Sequence, residues 1–335
     1  MTDGSGPRDP VSHAEPAVFL GAGSFAVPIL DALASAPGVR IVGVVTAPPR
    51  PAGRGERLRR SPVDMRAESL GLGPVLRPPR LRSESAISEV LALGATLLVL
   101  ADYGQIVPGA LLSAPAHGAL NLHPSLLPRH RGATPVPATI LAGDRQAGVS
   151  LMVMDEGLDT GPLVAQVAVP LDGTETAPEL EAALAVEAAA LLRAALPDWL
   201  AGRLAPHPQP SQGATLTRPL RREQGRLDPT RDASSLERQV RAFQPWPGTW
   251  LETADGRLVV WRARALAIDG AGVRSEPDAL GRIAPDGDGL AVLVADGWLR
   301  LEEVQLAGKR RMSAADLRRG HPGLVGSRVG GAALP

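Results

Sequence analysis

The sequence predicts an α/β domain with a mostly parallel sheet, followed by a small antiparallel barrel or sandwich. Three observations carry this expectation. From Ala17 to about Leu122 short aliphatic runs alternate with helix-like stretches, the rhythm of βαβ units. The stretch AGRLAPHPQPSQG has the proline, glycine and polar content of a linker. Beyond it, short alternating runs are joined by Asp255-Gly256, Asp286-Gly287 and Asp296-Gly297, dipeptides suited to tight hairpins.

Taken in order, residues 1–16 lack the apolar core of a signal peptide and are expected to form a disordered tail. AVFL is the first strand, FAVPILDALAS a helix and VRIVGVVT the second strand. Ser61-Pro62 and Thr134-Pro135 each offer a hydroxyl N-cap with proline at the first helical position. A helix is expected near Ser83 to Leu93. The runs at 96–101 and 119–122 are apolar on both faces, as buried parallel strands are. In GVSLMVMDEGLDTGPLVAQ two apolar runs flank a glycine-bearing turn so short that the strands should be antiparallel. Helices at Ala177 to Ala195 and Ser234 to Phe243 complete the elements. The domain limits that follow are 17–200, a linker at 201–217 and a second domain at 218–330.

At 335 residues, with 44% hydrophobic and 21% charged side chains, the chain is globular and long enough for two cores. Only 3% is aromatic, so Trp246, Trp250 and Trp261 are expected as core or interdomain anchors. Cysteine is absent, which excludes disulfides, thiolate zinc sites and a cysteine nucleophile and agrees with a cytoplasmic location. No metal is called for. No apolar stretch reaches spanning length. Net charge is zero, so a polyanionic partner would have to meet arginines gathered on one face.

The chemistry concentrates at two strand ends. In ALNLHPSLLP, Asn121 and His123 lie two apart and project from one face at the carboxyl edge of the sheet, where open α/β sheets bind ligands. A carboxamide can donate to an oxygen gaining negative charge, and an imidazole can give or take a proton near neutrality. Ser125, between Pro124 and Leu126 without a glycine elbow, suits a backbone-capping hydroxyl better than a nucleophile. Downstream, the turn containing Asp155 and Asp159 falls at the same edge, and Asp159 is expected to reach His123, with Asp155 its competitor. The constellation suits carbonyl chemistry. GAG at 21–23 is no dinucleotide fingerprint, because G-x-G-x-x-G fails at Ala26.

NLHPSLLPRHRGATPV, MDEGLDTG, TAPPRPAGRGERLRRSPV and FQPWPGTW resemble the signature segments of the methionyl-tRNA formyltransferases, within the folate-dependent formyltransferase superfamily. The resemblance runs from about Ala17 to about Gly320. It implies a Rossmann-like catalytic domain joined to an OB-like barrel. It also implies transfer of the formyl group of 10-formyltetrahydrofolate to the amino group of methionyl-initiator tRNA; a monomer is expected. By motif, it implies that Asn121, His123 and Asp159 are catalytic. Tyr103, Gly104, Gln105 and Ile106, with Ser125, Leu126, Leu127 and Pro128, would then border the folate.

The same resemblance assigns tRNA contacts to Arg50, Arg54, Arg57, Arg59 and Arg60 in one glycine-bearing loop. Arg221 and Arg222, then Lys309, Arg310 and Arg311, are further groups suited to phosphates. The chain departs from the usual pattern at GAGSFA, Pro49, Asp102 and Pro229. An amino-sugar nucleotide formyltransferase would keep the same triad, and a noncatalytic RNA-binding module would use only the C-terminal domain. The arginine loop favours the tRNA acceptor over the first, and the strand-end triad favours catalysis over the second.

Overall fold

Strand β1 (Glu15–Gly21) opens the chain of the computed structural model, which describes residues 14–52, 57–267 and 279–330, without the side chains of residues 52, 57 and 267. The chain divides into two units, one of Met1–Arg131, Gly148–Ala168 and Ala182–Thr215, the other of Gly132–Ala147, Val169–Glu181 and Leu216–Pro335. β1 begins two residues before its first apolar residue, because Glu15 and Pro16 pair with Val39 and Arg40.

After β1 come α1 (Ala26–Ala34), β2 (Val39–Val45), β3 (Arg50–Ala52), β4 (Arg57–Arg59), α2 (Pro62–Ser69), β5 (Val75–Leu76), α3 (Glu84–Leu91), β6 (Leu97–Ala101), α4 (Gly109–Ser113) and β7 (Ala119–His123). Then follow β8 (Arg131–Gly132), α5 (Pro135–Ala142), β9 (Gln146–Val153), β10 (Leu163–Pro170) and α6 (Ala177–Leu200). The central sheet has the order β10-β9-β7-β6-β1-β2-β5. β5, β2, β1, β6 and β7 run parallel, while β9 is antiparallel to β7. All five residues of β6 are buried, so its apolar run has two covered faces.

The order reverses between β1 and β6, where a nucleotide would sit in many α/β folds. Here that turn is filled from within. The N–H groups of Ala22 and Gly23 both donate to the Asp102 carbonyl, at 3.0 and 3.3 Å. A Cβ on Gly23 would lie 1.7 Å from an Asp102 carboxylate oxygen, so a larger residue there would displace that side chain.

Local signals set the helix starts. The Ser61 hydroxyl accepts from the Asp64 N–H at 3.0 Å with Pro62 next in line, a cap worth about 1 kcal/mol. Thr134 precedes α5 without capping it through its side chain. Its φ of −139° and ψ of 55° depart from the extended capping geometry, and its hydroxyl donates to the Arg218 carbonyl at 2.9 Å. The arginine-rich loop also differs from expectation, since its ends pair as β3 and β4 with Arg50 opposite Arg59.

The second unit carries α7 (Ala233–Ala242), β12 (Thr249–Thr253), β13 (Gly256–Ala267), β14 (Ile283–Asp286), β15 (Gly289–Val294), β16 (Gly297–Leu306), β17 (Met312–Ser313) and α8 (Ala314–Gly320), after a short β11 (Leu216–Thr217). Its antiparallel sheet has the order β12-β13-β16-β15-β14, with β17 on β16. Each Asp-Gly dipeptide sits at a hairpin turn: Thr253 pairs with Gly256, Asp286 with Gly289 and Val294 with Gly297. Leu236 and Val240 of α7 join Leu258, Val292, Leu299 and Val304 in the core. Trp250 is buried as expected. Trp246 is 56% exposed, a departure from the anchoring role expected of it. Trp261 is half-buried, with the Arg311 guanidinium 3.4 Å above its ring.

Candidate active site

β7 places the first two residues of the site. Asn121 sits opposite Leu100 of β6 and Met152 of β9, and His123 sits opposite Ser150. Leu120 and Leu122 point into the core on the other face. Asn121 is half-buried, and its carboxamide has no hydrogen-bond partner among the described residues. Such a donor is available to a substrate oxygen.

The His123 ring is buried, and its Nε2 lies 3.0 Å from the His130 carbonyl oxygen. That oxygen can only accept, so Nε2 carries a proton and Nδ1 is the edge left for chemistry. Nδ1 lies 3.6 Å from Oδ2 of Asp159, and the two side chains are only 6% and 14% exposed. The separation is ion-pair range, longer than a hydrogen bond.

Asp159 reaches this position from the turn between β9 and β10. The turn is built by its rival: the Asp155 carboxylate accepts from the Gly157 N–H at 3.0 Å and from the Thr160 hydroxyl at 2.8 and 2.9 Å. Asp155 is therefore a turn organiser. Asp159 has φ of +52°, a conformation that Asp and Asn tolerate better than most residues. A Cβ on Gly161 would lie 1.8 Å from the Val153 carbonyl, so glycine is required where the second strand begins.

The segment from Ser125 to Pro128 is locked by side chains that sequence reasoning missed. The Ser125 hydroxyl donates to the Arg129 carbonyl at 2.7 Å, as the backbone-capping reading anticipated. Buried Ser150 donates to the Ser125 carbonyl at 2.7 Å and accepts from the Leu127 N–H at 3.0 Å. Gln166 reaches both the Leu127 carbonyl and the Ser150 hydroxyl, at 3.0 and 2.7 Å. Both come from outer strands, and in sequence they look like ordinary polar residues of alternating runs.

The second predicted segment flanks a cavity of about 760 Å³ lined by Arg80, Leu81, Arg82, Ser83, Gln105 and Ile106. Gln105 accepts from the Leu81 N–H at 2.8 Å and donates to the Pro78 carbonyl at 3.1 Å. Ile106 is 69% exposed. Gly104 has φ of +77°, which suits glycine. Tyr103 is buried, its hydroxyl has no partner among the described residues, and burial pushes its pKa up to about 12.

The basic residues fall into different situations. Arg50 and Arg59 are exposed and face each other across β3 and β4; like charges so placed repel unless an anion joins them. Arg54 lies outside the described residues, as does the side chain of Arg57. Arg60 is committed elsewhere, to the buried Asp64 carboxylate at 2.7 and 2.8 Å and to Glu68. Arg221, Arg222, Lys309 and Arg310 are exposed, and Arg311 is stacked on Trp261.

Residues 16–196 match the family model described as Formyl transferase, and residues 219–322 that described as Formyl transferase, C-terminal domain. A methionyl-tRNA formyltransferase of Halorhodospira halophila is 47% identical over 304 residues, covering 90% of this chain and 95% of that one. One of Gluconobacter oxydans is 43% identical over 313 residues, covering 93% and 99%. Among solved structures, the N-formyltransferase from Helicobacter canadensis in complex with folinic acid and dTDP-3-aminofucose is similar with a TM-score of 0.60 at 13% identity, covering 87% of this chain and 99% of that one. HypX from Aquifex aeolicus in complex with tetrahydrofolic acid gives 0.55 at 15% identity, covering 91% of this chain; the chain spans about half the length of that protein, 47%. Both domain models and the extent of the identity therefore establish that this chain belongs to the formyl transferase family.

Proposed function

We propose that the protein transfers the formyl group of 10-formyltetrahydrofolate to the free amino group of methionyl-initiator tRNA, the step that prepares the initiator for translation. The observation that carries this reading is the meeting of Asn121, His123 and Asp159 at one sheet edge, in a chain 47% and 43% identical to two methionyl-tRNA formyltransferases over at least nine-tenths of its length. The donor brings a formyl carbon made electrophilic by its oxygen and carried on a nitrogen that can leave.

In this reading, Asn121 donates a carboxamide N–H to the formyl oxygen as that oxygen gains charge. His123, held through Nε2, offers a protonated Nδ1 as a second donor on the same face. Asp159 steadies that cation and takes the proton shed by the attacking amine, directly or through water, while the carbon–nitrogen bond to the folate breaks as that nitrogen takes up a proton. A strong base is not needed, since an α-amino group titrates at roughly 7.7 to 8.0 and esterification lowers it further.

The proposed folate boundary is formed by Tyr103, Gly104, Gln105 and Ile106 together with Ser125, Leu126, Leu127 and Pro128. Arg80 and Arg82 beside the cavity would suit the anionic tail of such a ligand. The unpaired Tyr103 hydroxyl fits a site that expects a polar partner. Arg50, Arg59, Arg221, Arg222, Lys309, Arg310 and Arg311 are the proposed phosphate contacts, with Arg54 and Arg57 assigned by motif. We place the catalytic domain at 17–200, the linker at 201–217 and the tRNA-binding domain at 218–330, and expect a cytoplasmic monomer. No helix among the described residues is long and apolar enough to cross a membrane.

Incubation with 10-formyltetrahydrofolate and methionine-charged initiator or elongator tRNA tests the reading. Formylation of the charged initiator, falling steeply with salt, is the expected result. Formylation of an amino-sugar nucleotide in place of the tRNA would overturn it.

A further inference from the structure

Gln209 lies between Pro208 and Pro210 in the stretch whose composition resembles a spacer. In the fold it is bonded on both sides. Its Nε2 donates to the Asp159 carbonyl at 2.9 Å and to the Gly161 carbonyl at 2.7 Å. Its Oε1 accepts from Nε and Nη2 of Arg131 at 3.1 and 2.7 Å. A guanidinium can only donate and a carbonyl only accept, so these four bonds fix which way the amide faces.

The backbone around Gln209 is held as well. Pro208 and Pro210 restrict their own φ and disfavour the helical region for the residue before each. His207 exchanges two hydrogen bonds with Leu163, at 2.7 and 2.8 Å, immediately beyond the turn. The segment from 207 to 209 is thus fastened to both carbonyls that bracket Thr160 and to the first residue of β10.

What it fastens is an uncommon backbone. Asp159 sits at φ of +52°, a left-handed conformation that Asp tolerates and that bonds to its own carbonyl help to hold. The carboxylate that approaches His123 and the carbonyl that receives Gln209 belong to the same residue. We infer that Gln209 is a positioning residue, holding the Asp159 turn so that its carboxylate stays beside Nδ1 of His123. The inference rests on the catalytic reading of Asp159.

The decisive comparison is between Gln209→Glu and Gln209→Ala. Glutamate keeps the shape and gives Arg131 a stronger acceptor, but it turns an oxygen toward two carbonyl oxygens. If Gln209 served only to pack the linker, Q209E would be the milder variant. If it positions Asp159, Q209E is the worse one. We expect kcat to fall about 10- to 100-fold in Q209A, the scale of a displacement of about 1 Å, and at least as far in Q209E, with both KM values held. In the double variant Q209E/D159N the rate should match that of Asp159→Asn alone, because Gln209 acts through Asp159.

Melting curves accompany each variant, and Gln209→Met, which keeps length but donates nothing, replaces Q209E if that chain does not fold; it should fall as far as Q209A. A Q209E enzyme faster than Q209A, a Q209M enzyme near wild type, or losses that multiply in the double variant would overturn the inference. Wild-type turnover in D159N would instead remove the catalytic reading of Asp159, and this inference with it.

Discussion

Replacing Asp159 by asparagine tests the proposed chemistry most directly. Asparagine preserves volume and tolerates the left-handed backbone at φ of +52°, and its carbonyl can still accept from Gln209. Only the charge and the proton-accepting oxygen are lost. At the observed 3.6 Å, a carboxylate and an imidazolium attract by about 4.6 kcal/mol at an effective dielectric of about 20. The general acid–base scale of about 10² to 10⁴ corresponds to roughly 2.7 to 5.4 kcal/mol. The two estimates overlap, and we expect kcat to fall about 10³-fold. The assay is single-turnover formylation of charged initiator tRNA with both substrates saturating. A D159N rate within about tenfold of wild type, or a loss seen in KM with kcat preserved, would refute the assignment.

Asn121→Ala should lower kcat by about 10² to 10³, the scale for one preorganised oxyanion donor; a change confined to donor affinity would make Asn121 a binding residue. Asp64→Asn should destabilise the fold by about 1.5 to 3 kcal/mol in urea unfolding, the scale of hydrogen bonds to a charged group, because the buried Asp64 carboxylate holds Arg60 and Arg77, whose side chains are themselves partly exposed. The side-chain hydrogen bonds from Arg60 and then Arg77 lower the Asp64 pKa despite its burial. A depressed carboxylate stabilises the fold above its unfolded pKa of about 3.9, and that contribution is lost as pH falls through the folded value. Wild-type and D64N stabilities should therefore converge in acid, and a constant gap down to low pH would contradict this. Replacing Lys309 and Arg310 together by glutamine should weaken tRNA binding and reduce the slope of log affinity against log salt by about one per residue; an unchanged slope would remove that turn from the interface.

The elements were largely legible because their signals are local. Ser61-Pro62, the β-branched runs and the three Asp-Gly turns act through backbone preferences that neighbours in sequence supply. Asn121 and His123 were legible for the same reason: residues two apart in a strand share a face wherever the strand lies. Thr134 shows the limit. Its hydroxyl had a sound local role available, and a carbonyl 84 residues away took it. Trp246 shows another, since burial depends on what packs nearby.

By itself, then, the amino-acid order determined the main strands and helices of the first domain, the shared face of Asn121 and His123, and the family, but not the short elements such as β3, β4 and α4. Tertiary structure alone decided that Asp155 organises the turn from which Asp159 faces His123, that Arg60 serves a buried acid, and that a glutamine from a proline-rich stretch grips the Asp159 turn. The physical reason is range: backbone preference and strand periodicity act within a few residues, whereas hydrogen-bond and charge partners are assigned only when distant segments meet.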